Sequence, residues 1–493
     1  VVSATCRTDH DGPQATPQPS EHHPRAAVTV LCAAGIVVAL MQTIIVPLIP
    51  QLPTLLHADP GNTSWALTIT LLVGAVVTPI GGRLGDMYGK RMALLGSMGC
   101  VGVGSVVCAL SGALLPFLIG RGLQGLGFGT IALGISVMRD IVPPRHLGSS
   151  VGTMSASLGI GGALGLPFAA LIAQHVSWHA LFWACAGAAL LGAVGIALTV
   201  PESPTRTGGR FDAVGALGLA AMLVCLLLPL SKGSTWGWAS PMTLGLLVGF
   251  VVVGVMWCLY ERGRGNALID LTVAIERPVL LTNVASIATG FAFYSMQLIP
   301  IQLLMAPSTS RDGLGFDMVT ASLILAPSGL LMFVFSHISG RLTTAFGPRI
   351  SLAVGGLVIG SGYVVFLVAL TGPWEMNWVL MLVIACLVGA GLGIAYSAMP
   401  ALIMRSVRVE QTGEANGVNA LMRVVGTSTS AALVGMLLTW SMVAVEAPDG
   451  QVTAVPSESG YLWAAGISLG ACVVASLIAL AIPPARPLVE EKV

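Results

Sequence analysis

Two arginines, Arg121 and Arg423, stand inside long apolar runs of this chain. An arginine side chain stays protonated, and a charge in an apolar interior is costly unless it faces a partner or a water-filled cavity. Gln124 follows Arg121 at a spacing of three, so the two side chains share one face of a helix. We therefore expect Arg121 to line an internal cavity, with a structural hydrogen-bonding role as the alternative.

A segment rich in charge and glycine, Gly82-Arg-Leu-Gly-Asp-Met-Tyr-Gly-Lys-Arg91, follows the second apolar run. Its glycines permit a sharp turn and a close approach of backbones at no steric cost. Asp86 can pair with Arg83 or Arg91, or accept hydrogen bonds from a helix N-terminus in another part of the fold. A solvated loop that only sets membrane orientation is the alternative. The residues of interest are Gly82, Arg83, Gly85, Asp86, Gly89, Lys90 and Arg91.

Other chemistries have little support in the sequence. It contains no H-E-x-x-H, no G-x-S-x-G and no Asp-rich metal pair, so an integral membrane enzyme is the weaker alternative. The nine cysteines show neither C-x-x-C nor Cys/His ligand spacing, which predicts no metal site. The net charge of +1 does not point to a nucleic-acid partner.

The composition identifies the solvent of the chain. Its 493 residues are 55% apolar and 9% charged, and the mean hydropathy is +0.89, whereas a soluble domain carries about 25% charged residues. The chain is therefore an integral membrane protein surrounded by lipid. Runs of about 20 apolar residues cross a bilayer as helices, and fourteen such runs are predicted. They begin near Ala27, Ser64, Met92, Leu114, Leu147, Ala180, Asp212, Met242, Val279, Val319, Ser351, Asn377, Gly417 and Gly460.

The basic residues predict the orientation. Short cytoplasmic loops carry an excess of Lys and Arg. Placing both termini in the cytoplasm puts fourteen basic loop residues inside and only Lys232 and Arg311 outside. This predicts a multi-pass protein of a plasma membrane, taken as the bacterial inner membrane. Residues 1–26 are predicted to be a disordered cytoplasmic tail, and residues 484–493 a second cytoplasmic tail.

An internal repeat organises the fourteen spans. Gly340-Arg-Leu-Thr-Thr-Ala-Phe-Gly-Pro-Arg349 follows the tenth span as Gly82–Arg91 follows the second, with Gly, Arg, Leu, Gly and Arg at matching positions. The glycine-rich stretches 125–129 and 389–393 are a second pair of similar sequences. Both pairs are eight spans apart, so we predict two six-helix bundles, 27–200 and 279–483, separated by two inserted helices within 201–278.

The chain resembles the major facilitator superfamily, in particular its fourteen-span drug:proton antiporter branch. The likeness rests on Gly82–Arg91, on the stretch 118–125 (LIGRGLQG), and on 177–183 (SWHALFW) and 200–204 (VPESP). It implies an all-α fold of two six-helix bundles plus two helices, with the proton as coupling ion. It also implies that the Asp86 loop latches the cytoplasmic side and that Arg121 manages the proton. The fifth span resembles the antiporter motif of this branch, with Gly161, Gly165 and Pro167 as its matching residues.

The first span departs from the branch where an acid is usual. It has Met41 in Leu40-Met-Gln-Thr-Ile-Ile-Val46, and no Asp or Glu lies deep within any predicted span. Proton antiport usually needs a protonatable acid. Our hypothesis is that Asp140, at the end of span four, takes the proton; ordinary interfacial placement beside Arg139 is the alternative. His337 is expected to be a satisfied interfacial residue rather than a proton switch.

Polar residues in otherwise apolar spans predict where a substrate binds. Each of them is also explained by a helix–helix hydrogen bond, but together they could line a pocket for an amphiphile. The candidates are Gln42, Thr43, Gln124, Asn283, Tyr294 and Gln297.

The function predicted from these features is proton-driven export of drugs, antibiotics or similar amphiphilic small molecules by alternating access. A facilitator or importer of another solute in the same fold is the alternative. The expected partners are the small amphiphile and membrane lipid, with the protein acting as a monomer.

Overall fold

The computed structural model describes residues 24–483, apart from 46–47, 49–51, 64, 204–205, 207, 209, 265–266, 311–312, 373–375 and 447–451. The predicted tail 484–493 and residues 1–23 of the predicted N-terminal tail therefore lie outside the described residues. Residues 24–26, assigned to that tail from the sequence, instead form the start of the first helix.

Fourteen helices of the described chain are long and apolar enough to cross a membrane, which confirms the predicted number. A helix satisfies all its backbone hydrogen bonds internally, as lipid requires. The helices are α1 Pro24–Thr43, α2 Trp65–Tyr88, α3 Lys90–Leu110, α4 Leu114–Ile141, α5 Pro144–His175, α6 Trp178–Thr199, α7 Ala213–Trp236, α8 Pro241–Glu261, α9 Arg277–Met305, α10 Met318–Phe346, α11 Pro348–Thr371, α12 Trp378–Ser406, α13 Thr412–Trp440 and α14 Glu458–Ala481.

The repeated loops have the same backbone form. A single glycine joins α2 to α3 and α10 to α11, and both glycines have positive φ, 121° at Gly89 and 86° at Gly347. Only glycine adopts this conformation without a steric penalty. The spacing of the repeated sequence therefore reflects two equivalent tight turns.

The apolar side chains form separate cores. One packs α1–α6 around residues such as Leu31, Met98 and Phe182, and another packs α9–α14 around Tyr363 and Met381. A third joins the inserted helices to α2 and α13, so α7 lies over the junction of the two six-helix sets. We call α1–α6 the first half and α9–α14 the second half.

The ends of the bundle are named here by residues they carry. The Asp86 face is the side where α1 begins and α2 ends, and the Trp440 face is the side where α13 ends. A short antiparallel ribbon, β1 Met442–Glu446 with β2 Val452–Pro456, follows α13. The sequence analysis, which expected only helices, did not predict this ribbon.

Candidate functional site

The Asp86 carboxylate joins the two halves. It is 1% exposed, and its two oxygens accept the backbone N–H groups of Gly413 (3.2 Å) and Glu414 (2.8 Å). Those N–H groups belong to the first turn of α13, where a helix leaves its amides unpaired and carries partial positive charge. Of the partners considered for Asp86, the structure shows the helix N-terminus and not Arg83 or Arg91.

The arginines of the same loop have other partners. Arg83 Nη1 lies 3.2 Å from Glu414 Oε2 in a second contact between the halves. Arg91 donates to the Ala197 carbonyl on α6 and stays within the first half. The two guanidinium groups therefore serve different interfaces.

Lys90 and Asp140 form a buried ion pair behind Asp86. Lys90 Nζ lies 2.9 Å from Asp140 Oδ2 and 4.0 Å from Asp86 Oδ1, and the lysine is 1% exposed. Ser203 Oγ donates to the same Asp140 oxygen at 2.6 Å. Two carboxylates thus share one ammonium group, so a proton on one would change the charge felt by the other. The role of Asp140 as the proton site stays a prediction.

Arg139 extends the contact between the halves. Its guanidinium donates to the Val407 carbonyl (3.1 Å), the Arg408 carbonyl (3.3 Å) and Thr412 Oγ1 (2.5 Å). All three acceptors lie between the end of α12 and the start of α13. The sequence analysis gave Arg139 no role beyond orientation, because its acceptors lie about 270 residues away along the chain.

Glycines allow this contact to be so close. A Cβ on Gly82 would overlap the Gly413 carbonyl oxygen, and a Cβ on Gly413 would lie 2.6 Å from Asp86 Oδ1. A Cβ on Gly85 would overlap the Leu133 side chain. Gly82 and Gly413 therefore bring the backbones of α2 and α13 together at the Asp86 face, as the composition of the loop predicts.

The loop after α8 supports Glu414. The backbone N–H of Asp270 donates to Glu414 Oε1 at 2.7 Å, and Gln411 Nε2 donates to Asp270 Oδ2 at 3.3 Å. Partial burial alone would raise the pKa of Asp270, but hydrogen bonds from Thr272 and Gln411 outweigh it and hold that pKa below its ordinary value. Asp270 therefore remains an acceptor beside the α13 N-terminus.

The halves also meet along α5 and α10, without a carboxylate. A Cβ on Gly152 would lie 2.7 Å from the Ser336 carbonyl, and one on Gly340 would lie 3.3 Å from the Ser149 nitrogen. His337 Nε2 is 2.9 Å from Thr153 Oγ1. Thr344, which corresponds to Asp86 in the repeat, donates to its own helix. The charged contact is therefore found where α2 meets α13 and has no counterpart where α5 meets α10.

Arg121 is sealed inside the first half. It is 0% exposed; Nε donates to the Ala66 carbonyl (3.2 Å), and Nη1 donates to the Met41 carbonyl (3.2 Å) and to Gln124 Oε1 (2.6 Å). Its Nη2 has no acceptor among the described residues. These contacts correspond to the structural alternative, and the expectation that Arg121 lines an open cavity does not hold in this structure. Its part in proton coupling stays a prediction.

The predicted cavity residues fall into two groups. Gln124 and Asn283 are buried and bonded to neighbouring helices, through Ser105 and Asn419 respectively. Gln42, Thr43, Tyr294 and Gln297 are partly exposed within the bundle. Substrate contact stays a prediction for both groups, and the second has the accessible side chains.

The helix with the antiporter-like motif, α5, packs on α1. A Cβ on Gly161 would lie 2.9 Å from the Ile36 carbonyl, and a Cβ on Gly165 would overlap Thr43 Oγ1. Pro167 is buried inside α5. Close packing accounts for both glycines, and a role in the direction of transport stays a prediction.

Two helical halves related by an internal repeat, with a polar contact between them, are the architecture of many secondary transporters. The sequence model described as Major Facilitator Superfamily matches residues 31–431 and 285–492. The chain belongs to the Major Facilitator Superfamily, a family of transporters rather than enzymes.

Relatives and solved structures agree with this assignment. The chain is 29% identical over 418 residues to an uncharacterized MFS-type transporter of Mycobacterium tuberculosis; the match covers 83% of this chain but spans 58% of that protein's length. It is 29% identical over 465 residues to the tetracenomycin C resistance and export protein of Streptomyces glaucescens, covering 92% of this chain and 82% of that one. The solved structure of the proton:xylose symporter XylE is similar in fold, with a TM-score of 0.65, 14% identity, and coverage of 94% and 96%.

Proposed function

We propose that this chain exports drugs, antibiotics or similar amphiphilic small molecules across a bacterial plasma membrane by proton antiport, within the fourteen-span drug:proton antiporter branch. Both termini and the Asp86 face lie in the cytoplasm. The Asp86 contact with the α13 N-terminus carries the proposal, because it closes one face with bonds that opening must break. The name of the Streptomyces glaucescens relative supports export as the direction.

The geometry suggests how a proton could release this contact. Lys90 is shared between Asp140 at 2.9 Å and Asp86 at 4.0 Å. A proton on Asp140 removes the closer negative charge and leaves Lys90 free to pair with Asp86. Asp86 would then bind the amides of Gly413 and Glu414 less tightly, which favours opening of the Asp86 face.

Accumulation of fluorescent compounds tests the proposal. Cells expressing the chain should accumulate less of at least some members of a panel of cationic, neutral and anionic dyes and antibiotics, and a protonophore should abolish the difference. Asp86→Asn should lose this activity at normal membrane levels. The matched control is Asp317→Asn, because Asp317 also accepts two backbone N–H groups, Val319 and Thr320, but from its own helix.

Other results would point elsewhere. Compound gradients that equilibrate faster in both directions and ignore the protonophore would favour a facilitator. The specific observation behind that alternative is Met41 at the position where the branch usually has an acid.

A further inference from the structure

The middle of α13 carries a positive charge that the proposed gate does not use. Arg423 lies eleven residues after the start of α13, about 16 Å along the helix axis. The residue is 9% exposed, so it is almost enclosed. Its Nη1 donates to Asn419 Oδ1 at 3.0 Å, and its guanidinium carbon lies 5.2 Å from the centre of the Tyr396 ring.

The polar groups around Arg423 that lack a hydrogen-bond partner are donors. An arginine side chain has five N–H donors, and Asn419 is the only acceptor for Arg423 among the described residues. Asn419 is fully engaged, because its Nδ2 donates to Asn283 Oδ1 (3.0 Å) and Ser286 Oγ (2.7 Å). Asn283 Nδ2 has no acceptor in the described part of the chain, and Asn283 is 6% exposed.

No carboxylate balances this charge within the spans that the structure describes. The ion pairs there involve Arg83, Lys90 and their partners at the Asp86 face. The acids of the fourteen helices stand within the first or last three residues of a helix: Asp86, Asp140, Glu261, Glu414 and Glu458. A guanidinium at mid-membrane depth without a counter-charge is expensive, so an anionic ligand that reached Arg423 would supply a charge that the described spans lack.

We propose that Arg423 anchors the anionic group of the exported molecule, so that the substrates are amphiphiles carrying a carboxylate or similar planar oxyanion on an aromatic body. This inference rests on the proposed export function. A guanidinium binds a carboxylate through two parallel N–H donors, and Asn283 adds a further donor. The rings of Tyr396 and Phe293, 6.0 Å apart, offer an apolar surface to the body of the molecule.

Thermal stabilisation of the purified full-length protein tests this without requiring transport, because a ligand of the folded state raises the melting temperature. The probes are 2-naphthoate, 2-naphthamide and 2-naphthylmethylammonium, in a low-salt buffer that contains neither chloride nor any other carboxylate. Naphthoate should stabilise the wild type at a concentration at least tenfold lower than the other two. Arg423→Gln should remove this preference. Arg423→Lys should weaken naphthoate binding at least tenfold, since lysine keeps the charge but lacks the two parallel N–H donors of the guanidinium. Arg264→Gln removes an exposed arginine near the inserted helices and should leave the preference intact.

Three outcomes would overturn the inference. Naphthoate binding to the wild type that is no tighter than naphthamide binding would overturn it, whether or not the variants fold. Equal naphthoate preference in Arg423→Gln and the wild type would place the anion elsewhere. Stabilisation by chloride alone, with nothing added by naphthoate, would make the counter-charge an inorganic ion. If any of these results is found together with protonophore-sensitive efflux of cationic dyes, the proposed function still stands. If naphthoate is preferred but no compound is exported, the proposed function is contradicted and the binding site is not.

Discussion

Replacing Asp86 by asparagine should open the Asp86 face. Asparagine has one acceptor oxygen, so only one of the Gly413 and Glu414 amides keeps a partner, and that bond loses its charge. Loss of charge from one hydrogen bond costs about 1 kcal/mol, and a buried N–H left unsatisfied costs about 1–3 kcal/mol. The sum of about 2–4 kcal/mol shifts the ratio of open to closed molecules by about 30-fold to about 700-fold, at about 1.4 kcal/mol per tenfold.

A distance measurement between the halves reads this shift directly. Spin labels at Tyr88 and Val409, which are 55% and 38% exposed on the Asp86 face, would report separation of α2 from the start of α13 in a cysteine-free background. The longer distance should gain population in Asp86→Asn. Asp317→Asn should leave the distribution unchanged, because asparagine caps a helix as well as aspartate does. Identical distributions for the two variants would refute the latch.

Two further changes test the same interface. Gly82→Ala should hold the halves apart and reduce efflux, because its Cβ would overlap the Gly413 carbonyl and overpacking costs about 1–3 kcal/mol. The control is Gly81→Ala, whose Cβ meets nothing within 4 Å. It should match the wild type in both spin-label distance and dye efflux. Asp140→Asn removes the nearest partner of a buried lysine and should lower the free energy of unfolding by about 3–5 kcal/mol, seen as a lower melting temperature that Lys90→Met partly restores. If Asp140 takes the proton, the efflux that remains in Asp140→Asn should be insensitive to a protonophore, and retained sensitivity would remove Asp140 from that role.

Local signals in the sequence predicted part of the contact that Asp86 makes. The turn at Gly89 is encoded within ten residues, because glycine, charge and the end of an apolar run coincide there. The contact of Asp86 with a helix N-terminus was among the predicted possibilities, since a carboxylate favours such an end of a helix. Which helix it meets was not predictable, because Gly413 and Glu414 lie more than 320 residues further along the chain.

For the two intramembrane arginines, the sequence predicted less than it did for the Asp86 contact. Depth and charge are visible in the sequence for both Arg121 and Arg423. Their contacts are not: the structure encloses Arg121 completely and bonds it to two backbone carbonyls. Arg423 is 9% exposed and bonds only Asn419 among the described residues. The sequence analysis gave Arg121 the functional role because it stands in a motif, and its part in proton coupling stays a prediction.

The sequence by itself determined that the chain spans a membrane, that it does so with fourteen helices, and that it contains a repeat. These properties follow from the length of the apolar runs and from residues repeated at equal spacing. Only the tertiary structure decided which charges meet across the halves, which arginine is completely enclosed, and that α7 lies over the junction of the halves. Helices in lipid gain little from apolar contact with one another. Their partners are therefore chosen by small residues and a few polar bonds between distant segments, and no local pattern in the chain records those choices.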